Sequence, residues 1–157
     1  MTLAAEYRVA RHGEDVARLR RMLALRAMSA TGMSQRQIAG ALGVSQPAIS
    51  QQLRLSRDVE TVHPRMLVEA AGPILSALAA DRGYSRLAVF GSVARGTARA
   101  DSDIDLVVES PPSTSTFDFL RFKQLLEEVL GREVDLVDYG GLKPVLDDDI
   151  RREAVAL

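Results

Sequence analysis

The chain has 157 residues, contains no cysteine and carries a net charge of −1 at pH 7. This length suffices for one medium domain or two small ones, and the lack of cysteine excludes disulfides, thiolate metal sites and a thiol nucleophile. We expect a cytoplasmic protein, because no apolar stretch is long enough to span a membrane and the polar start, residues 2–8, does not resemble a signal peptide.

Charge is divided unevenly along the chain. Residues 1–58 contain nine arginines and four acidic residues, a balance of +5. Residues 59–157 contain eleven basic and seventeen acidic residues, a balance of −6. A basic first part suits a polyanion, whereas an acidic second part suits metal ions or a basic protein. The asymmetry indicates two modules with different partners.

The first module has the periodicity of amphipathic helices. Apolar residues recur every three or four positions in a helix that ends near Gly32. Ser34 and Ser45 are placed to cap two further helices, and Gly43 allows a sharp turn between them. The predicted apolar side of these elements comprises Val16, Leu19, Leu23, Ala27, Ala30, Ile38, Ala39, Leu42, Val44, Ile49 and Leu53.

Residues 33–50 closely resemble the helix-turn-helix of regulators of the Cro/phage-repressor (XRE-like) type. A helix, a glycine-containing turn and a second helix form the geometry that seats a recognition helix in the DNA major groove. A generic helical hairpin is the alternative. The resemblance implies that the outward side of the two helices binds DNA through Gln35, Arg36, Gln46, Pro47, Ser50, Gln51 and Arg54.

These side chains are suited to two kinds of DNA contact. Gln35, Arg36 and Arg54 would contact phosphates, whereas Gln46, Ser50 and Gln51 would reach base edges, where amide groups suit adenine. Such folds usually bind as dimers on two half-sites. We therefore expect a homodimer or a larger assembly.

Residues 63–72 are predicted to be a linker helix, because Gly72-Pro73 interrupts the chain and Pro73 suits the first turn of the next helix. The helix-turn-helix domain then spans residues 1–62 and a second domain spans 73–157. In the second domain, residues 117–130 form an amphipathic helix. The acidic run 147–149 favours the N-terminal end of a final helix, and we assign these acids no catalytic role.

The second domain carries a glycine-serine turn behind a short buried strand, residues 87–90. Backbone amides after the turn and the Ser92 hydroxyl could cradle the phosphates of a nucleoside triphosphate. Gly91 would let a phosphate approach the backbone closely. Arg95 would either neutralise phosphate charge or only fix the turn.

Two acids follow on the next predicted strand. Alternate side chains of a strand share a face, so Asp103 and Asp105 project together while their apolar neighbours point into the core. Two such carboxylates repel each other unless a cation lies between them, and Mg²⁺ accepts a few carboxylates together with phosphate oxygens. A third acid, Asp135, lies on a later strand, where it could accept the proton of an attacking hydroxyl. Asp138 is its rival, but it lies where that strand meets a turn.

Gly91-Ser92, Arg95-Gly96, the pair Asp103 and Asp105, and Asp135 together resemble the minimal nucleotidyltransferase domain of the DNA polymerase β-like superfamily. The resemblance covers about residues 73–157. With the helical first module it implies a two-domain α+β protein, whose second domain is a small mixed sheet with flanking helices. It also implies that Ser92 binds the phosphates of ATP and that Asp103, Asp105 and Asp135 hold Mg²⁺ or Mn²⁺.

Small nucleotidyltransferase domains of this kind resemble the antitoxins of bacterial toxin–antitoxin pairs, which adenylylate a HEPN-type ribonuclease toxin. This resemblance implies AMP transfer from ATP to a Tyr, Ser or Thr hydroxyl of a toxin partner, binding of the protein's own promoter, and a homodimer or a hetero-oligomer with the toxin. One alternative is a DNA-binding regulator whose second domain senses NTP or docks a partner without turnover. Another is an enzyme that modifies a small molecule such as an aminoglycoside. The intact acidic triad favours an enzyme, and the DNA-binding module argues against the small-molecule substrate.

Overall fold

The computed structural model describes residues 1–157 and contains seven α-helices and a four-stranded sheet. The helices are α1 (Leu3–Ala30), α2 (Gln35–Leu42), α3 (Gln46–Leu55), α4 (Pro64–Asp81), α5 (Gly91–Arg95), α6 (Thr116–Leu130) and α7 (Asp148–Glu153). The strands are β1 (Ser85–Phe90), β2 (Ile104–Glu109), β3 (Val134–Asp138) and β4 (Val155–Ala156). Two short 3₁₀ turns lie at Ser56–Thr61 and Tyr139–Gly141. No helix combines the length and the apolar character that crossing a membrane requires.

The sheet has the order β3-β2-β1-β4, with β2 parallel to β3 and β1 antiparallel to both β2 and β4. A small mixed sheet, as predicted, is therefore confirmed. Ile104, Leu106 and Val108 are fully buried in the core that the sheet shares with the helices. Because strand side chains alternate, Asp105 lies on the opposite face together with Val107. The two-residue strand β4 was not predicted, since two residues carry no periodicity.

Helix α4 differs from the prediction, because it runs without interruption through Gly72 and Pro73. Proline inside a helix leaves the carbonyl four residues earlier without its N–H donor. Here that carbonyl belongs to Glu69, and the Arg20 guanidinium of α1 donates to it at 3.3 Å and to the Ala70 carbonyl at 2.9 Å. A tertiary hydrogen bond thus replaces the missing helical one, and the predicted break between a linker helix and the next helix is wrong.

The first module is helical, and α2 and α3 are joined by the short connection 43–45. Ser34 and Gln37 form a capping box at the start of α2, and Gly43 ends that helix with φ of 69°. Ile38 and Ile49 are fully buried in a small core, as expected. Leu42 and Val44, however, are 47% and 44% exposed, which corrects their predicted core positions. The core between these short helices is completed by Leu25 of α1 and contains neither Leu42 nor Val44.

Helix α1 joins the two modules. Its residues Leu19 and Leu23 belong to the same apolar core as the sheet. The Arg26 side chain donates to the Val129 carbonyl of α6 at 2.9 Å and to the Ser56 carbonyl after α3 at 3.3 Å. The division into domains at residues 62 and 72 stays a prediction, but the helical module and the sheet module pack on each other through α1.

Candidate active site

The predicted glycine-serine turn follows β1 directly and faces the acid pair. Gly91 has φ of 68°, a conformation that favours glycine. Its Cα lies against the Asp105 carboxylate: a Cβ added to Gly91 would lie 2.9 Å from Cγ of Asp105 and closer still to Oδ2. The Asp105 side chain of β2 therefore leaves no room for a Cβ at position 91. Glycine is required here for that reason as well as for the close approach of a phosphate.

The three predicted acids converge on one end of the sheet. Asp103 precedes β2 by one residue and has the same parity as Asp105, so both project on one face. The parallel register pairs Asp105 with Asp135 of β3. Burial raises the pKa of Asp105, and the nearby Asp135 and Asp103 carboxylates raise it further, while Arg95 opposes them. Asp105 is thus repelled by both neighbouring carboxylates, and the sequence predicted this repulsion for the pair Asp103 and Asp105.

The donors at this end suit a hard divalent cation. They are carboxylate oxygens only, and the repulsion at Asp105 is the kind that a bound cation relieves. No group of three His, Cys, Asp or Glu side chains is arranged to hold a metal ion by itself. Mg²⁺ commonly takes one or two carboxylates and completes its shell with substrate phosphates and water. The site fits that mode, and Asp103, Asp105 and Asp135 stay predicted metal ligands.

Two further predicted positions, Ser92 and Asp138, differ in the hydrogen bonds of their side chains. Ser92 is half-buried in the turn, and the structure contains no hydrogen bond to its hydroxyl, which leaves that group available for a ligand. Asp138 ends β3, and its Oδ1 accepts a hydrogen bond of 2.9 Å from the Gly140 N–H. The predicted turn position of Asp138 agrees with this hydrogen bond, and the choice of Asp135 over Asp138 as the site carboxylate stays a prediction.

Sequence reasoning missed an acid at this site, Glu153, the last residue of α7. Its Oε2 accepts a hydrogen bond of 3.2 Å from the Gly91 N–H. Its two carboxylate oxygens lie 3.0 and 3.1 Å from Nη1 of Arg95. These partners are 62 and 58 residues away in the chain, so no local pattern could have revealed the contact.

The residues of the predicted DNA interface lie together in the helical module. Gln35 begins α2, and Gln46 begins α3, where its Nε2 lies 3.4 Å from Oε1 of Gln35. Gln51 and Arg54 follow on α3 at spacings that share the outward side with Gln46 or Pro47. All of these side chains are exposed or half-buried, namely those of Gln35, Arg36, Gln46, Pro47, Ser50, Gln51 and Arg54.

A mixed sheet with acids from two neighbouring strands beside a glycine-serine turn defines a nucleotidyl-transfer fold, and comparison with known proteins agrees. Residues 74–157 match the family model described as "Nucleotidyltransferase domain". The chain therefore belongs to the nucleotidyltransferase domain family and is, by this homology, a nucleotidyltransferase. The match does not include the first 73 residues.

Individual relatives and a solved structure align with part of this chain. "Putative protein adenylyltransferase MJ0435" of Methanocaldococcus jannaschii is 47% identical over 73 residues, which are 46% of this chain and 78% of the relative. "Protein adenylyltransferase MntA" of Thermococcus cleftensis is 38% identical over 73 residues, or 46% of this chain and 74% of the relative. A solved structure of a "putative minimal nucleotidyltransferase" superposes with a TM-score of 0.54 and 42% identity, over 59% of this chain and 95% of that one.

The repulsion at Asp105 has a measurable effect on stability. A carboxylate whose folded pKa is raised binds its proton more tightly in the folded state, so stability is lost as pH rises through that pKa. We expect Asp105→Asn to raise Tm at pH 7 without divalent metal, by about 2–4 °C for each kcal/mol of repulsion removed.

Thermal unfolding of the wild type, Asp105→Asn and the control Asp101→Asn tests this expectation. Asp101 is an exposed acid in the preceding turn, so its replacement should leave Tm unchanged. The gain for Asp105→Asn should shrink as pH falls towards about 4, where the wild-type carboxylate also becomes neutral. An unchanged Tm for Asp105→Asn at pH 7 would contradict repulsion at the site.

Proposed function

We propose that this protein transfers AMP from ATP to a Tyr, Ser or Thr hydroxyl of a partner protein. The observation that carries the proposal is the Asp105 carboxylate, which lies against the Gly91 turn and is paired in register with Asp135. Relatives with 47% and 38% identity bear the names of protein adenylyltransferases, which supports AMP as the transferred group and protein as its acceptor.

In this reaction each side chain has a distinct part. Asp103 and Asp105 would hold Mg²⁺, which when bound neutralises the charge of the triphosphate. The Ser92 hydroxyl and the Arg95 guanidinium hold the phosphate tail. Asp135 accepts the proton of the incoming hydroxyl, whose oxygen bonds to the α-phosphorus as the bond to pyrophosphate breaks. Orientation and charge neutralisation supply most of the acceleration.

We further propose that the acceptor is a HEPN-type ribonuclease toxin, with which the protein forms a hetero-oligomer. The resemblance of small nucleotidyltransferase domains to antitoxins supports this partner. The matched domain is short, residues 74–157, and so offers little surface with which to select a substrate by itself. A separate protein that docks beside the acidic site would supply the hydroxyl.

Incubation with Mg²⁺, ATP labelled at the α-phosphate and the protein encoded by the neighbouring reading frame tests the enzymatic proposal. We expect the label on the partner, release of pyrophosphate, and a mass increase of one AMP at a hydroxyl side chain. ATP labelled at the γ-phosphate should leave the partner unlabelled. Saturable ATP binding without label transfer would instead favour the nucleotide sensor over the enzyme.

A second activity, binding of promoter DNA, is favoured by the helical module. Gln46, Gln51 and Arg54 lie outward on α3, which follows α2 after a turn that Gly43 makes possible. Residues 1–58 carry a balance of +5, which suits a phosphate backbone. We propose that α3 enters the major groove and that the protein represses its own promoter as a dimer.

Arg54→Ala tests this DNA interface. Because each phosphate contact releases counterions, its loss should weaken binding at all sequences and lower the slope of log K against log salt by about 1. Fluorescence anisotropy with the fragment upstream of the gene, at several salt concentrations, measures both quantities. Arg121→Ala on α6 removes an exposed arginine outside the helical module and should change neither. An unchanged slope for Arg54→Ala would contradict a phosphate contact at this position.

A further inference from the structure

One carboxylate contacts both ends of the short helix α5. The Glu153 side chain accepts from the N–H of Gly91, the first residue of α5, at 3.2 Å. The same carboxylate pairs with Nη1 of Arg95, the last residue of α5, at 3.0 and 3.1 Å. Helix α5, which begins with the glycine-serine turn, is thus held at its first and last residues by Glu153.

Strand pairing places Glu153 there. Strand β4 follows α7 after one residue and pairs with β1, matching Val155 with Val89 and Ala156 with Ala88. In an antiparallel pair the chain order is reversed, so residues before β4 lie beside residues after β1. The short edge strand therefore brings Glu153 next to Gly91.

This arrangement leaves part of the Arg95 guanidinium free. Only Nη1 of Arg95 has a protein partner, and its Nε and Nη2 donors have none. The Arg95 side chain is 51% exposed, whereas that of Glu153 is 26% exposed. A guanidinium held at one nitrogen keeps its remaining planar donors in a defined direction, which suits a bidentate bond to phosphate oxygens.

We propose that Glu153 is a positioning residue that holds Arg95 and the Gly91 turn in the arrangement that receives the triphosphate. Glu153 acts through these two partners and does not touch the nucleotide itself. The inference rests on the proposed function and extends it, because it assigns a nucleotide-binding role to a residue of the C-terminal helix.

Electrostatics alone predicts the opposite effect. Glu153 is a negative charge beside a site for a polyanion, and its charge also raises the pKa of Asp105. If charge were its only influence, Glu153→Gln would tighten nucleotide binding, since like charges repel. If Glu153 positions Arg95, Glu153→Gln weakens binding because the guanidinium loses its fixed direction. The sign of the change therefore separates the two explanations.

Calorimetry with Mg²⁺ and an ATP analogue that has a methylene group between the α- and β-phosphates measures this sign without turnover. We expect Glu153→Gln to raise the Kd for the analogue by about 10-fold, the loss of one well-placed charged contact. In an Arg95→Ala background the same substitution should have little further effect, because the oxygen of a glutamine side chain can still accept from the Gly91 N–H. In the transfer assay KM for ATP should rise while kcat changes little.

Control variants make the outcome decisive. Glu109→Gln removes a carboxylate that pairs with Arg86 at the opposite end of β1 and β2, and it should leave Kd unchanged. Glu153→Asp retains the charge on a shorter side chain and should also weaken binding, and it replaces the Gln variant if that variant does not fold. Unchanged or tighter binding by folded Glu153→Gln, or equal weakening with and without Arg95, would overturn the proposal.

These outcomes are distinct from a failure of the enzymatic proposal. If the wild-type protein binds the analogue and Glu153→Gln binds it equally well, the positioning role is wrong and nucleotidyl transfer still stands. If the wild-type protein binds no nucleotide in the presence of Mg²⁺, the proposed function is wrong and the positioning role with it.

Discussion

Asp105→Asn is expected to lower kcat for AMP transfer by about 10³-fold, which corresponds to the several kcal/mol that a correctly held metal ion contributes. Asp105 follows Asp103 on the same face of the chain and is paired with Asp135 on the neighbouring strand. It is therefore the acid that lies near both of the others. Asparagine retains the size of the side chain but removes the charge that would bind the cation. Initial rates with labelled ATP, at saturating Mg²⁺ and partner, measure the loss.

The proposed binding of promoter DNA provides the internal control for Asp105→Asn. Asp105 lies in the sheet, whereas the proposed DNA interface lies on α2 and α3. Promoter affinity should therefore match that of the wild type, which shows that the variant is folded. Turnover by Asp105→Asn at the wild-type rate would exclude Asp105 as a metal ligand.

Gly91→Ala is expected to reduce transfer at least about 100-fold, because the new methyl group occupies the space of the Asp105 carboxylate. Asp105 would have to leave its position beside Asp135. The φ of 68° at this position adds strain of about 1–2 kcal/mol for a residue with a Cβ. Kinetics and thermal unfolding measured on the same preparation report both effects.

Gly96→Ala separates the effect of the steric clash with Asp105 from the effect of backbone strain. Gly96 follows the last residue of α5 and has φ of 75°, but a Cβ there meets nothing within 4 Å. Gly96→Ala should therefore lose stability similarly while keeping most of its activity. If both alanine variants lose activity equally, then strain in the turn, and not displacement of Asp105, explains the effect.

Most of the correct predictions came from short-range patterns in the sequence. Alternation around Asp105 predicted β2 and the face on which its carboxylate lies, and capping residues such as Ser34 predicted where helices begin. These features depend on neighbours within about four residues, where backbone geometry limits the possible structures. The turn position of Asp138 was likewise predictable, because its capping bond to Gly140 is local.

The errors have a common physical origin. Pro73 predicted a helix break, but Arg20 from α1 supplies the hydrogen bond that proline removes. Leu42 and Val44 were expected in the small core of the helical module, which instead is completed by Leu25 of α1. In each case a contact between distant parts of the chain determined the outcome.

The amino-acid sequence by itself determined the chemical groups of the candidate site, namely Ser92 and the carboxylates of Asp103, Asp105 and Asp135, and the order of the elements that carry them. Tertiary structure alone decided how they meet: the β2–β3 register pairs Asp105 with Asp135, and the β1–β4 pairing brings Glu153 to Arg95. The reason is that residue type and local periodicity are properties of short segments. Contact between segments 30 or more residues apart depends on the free energy of burying the whole core.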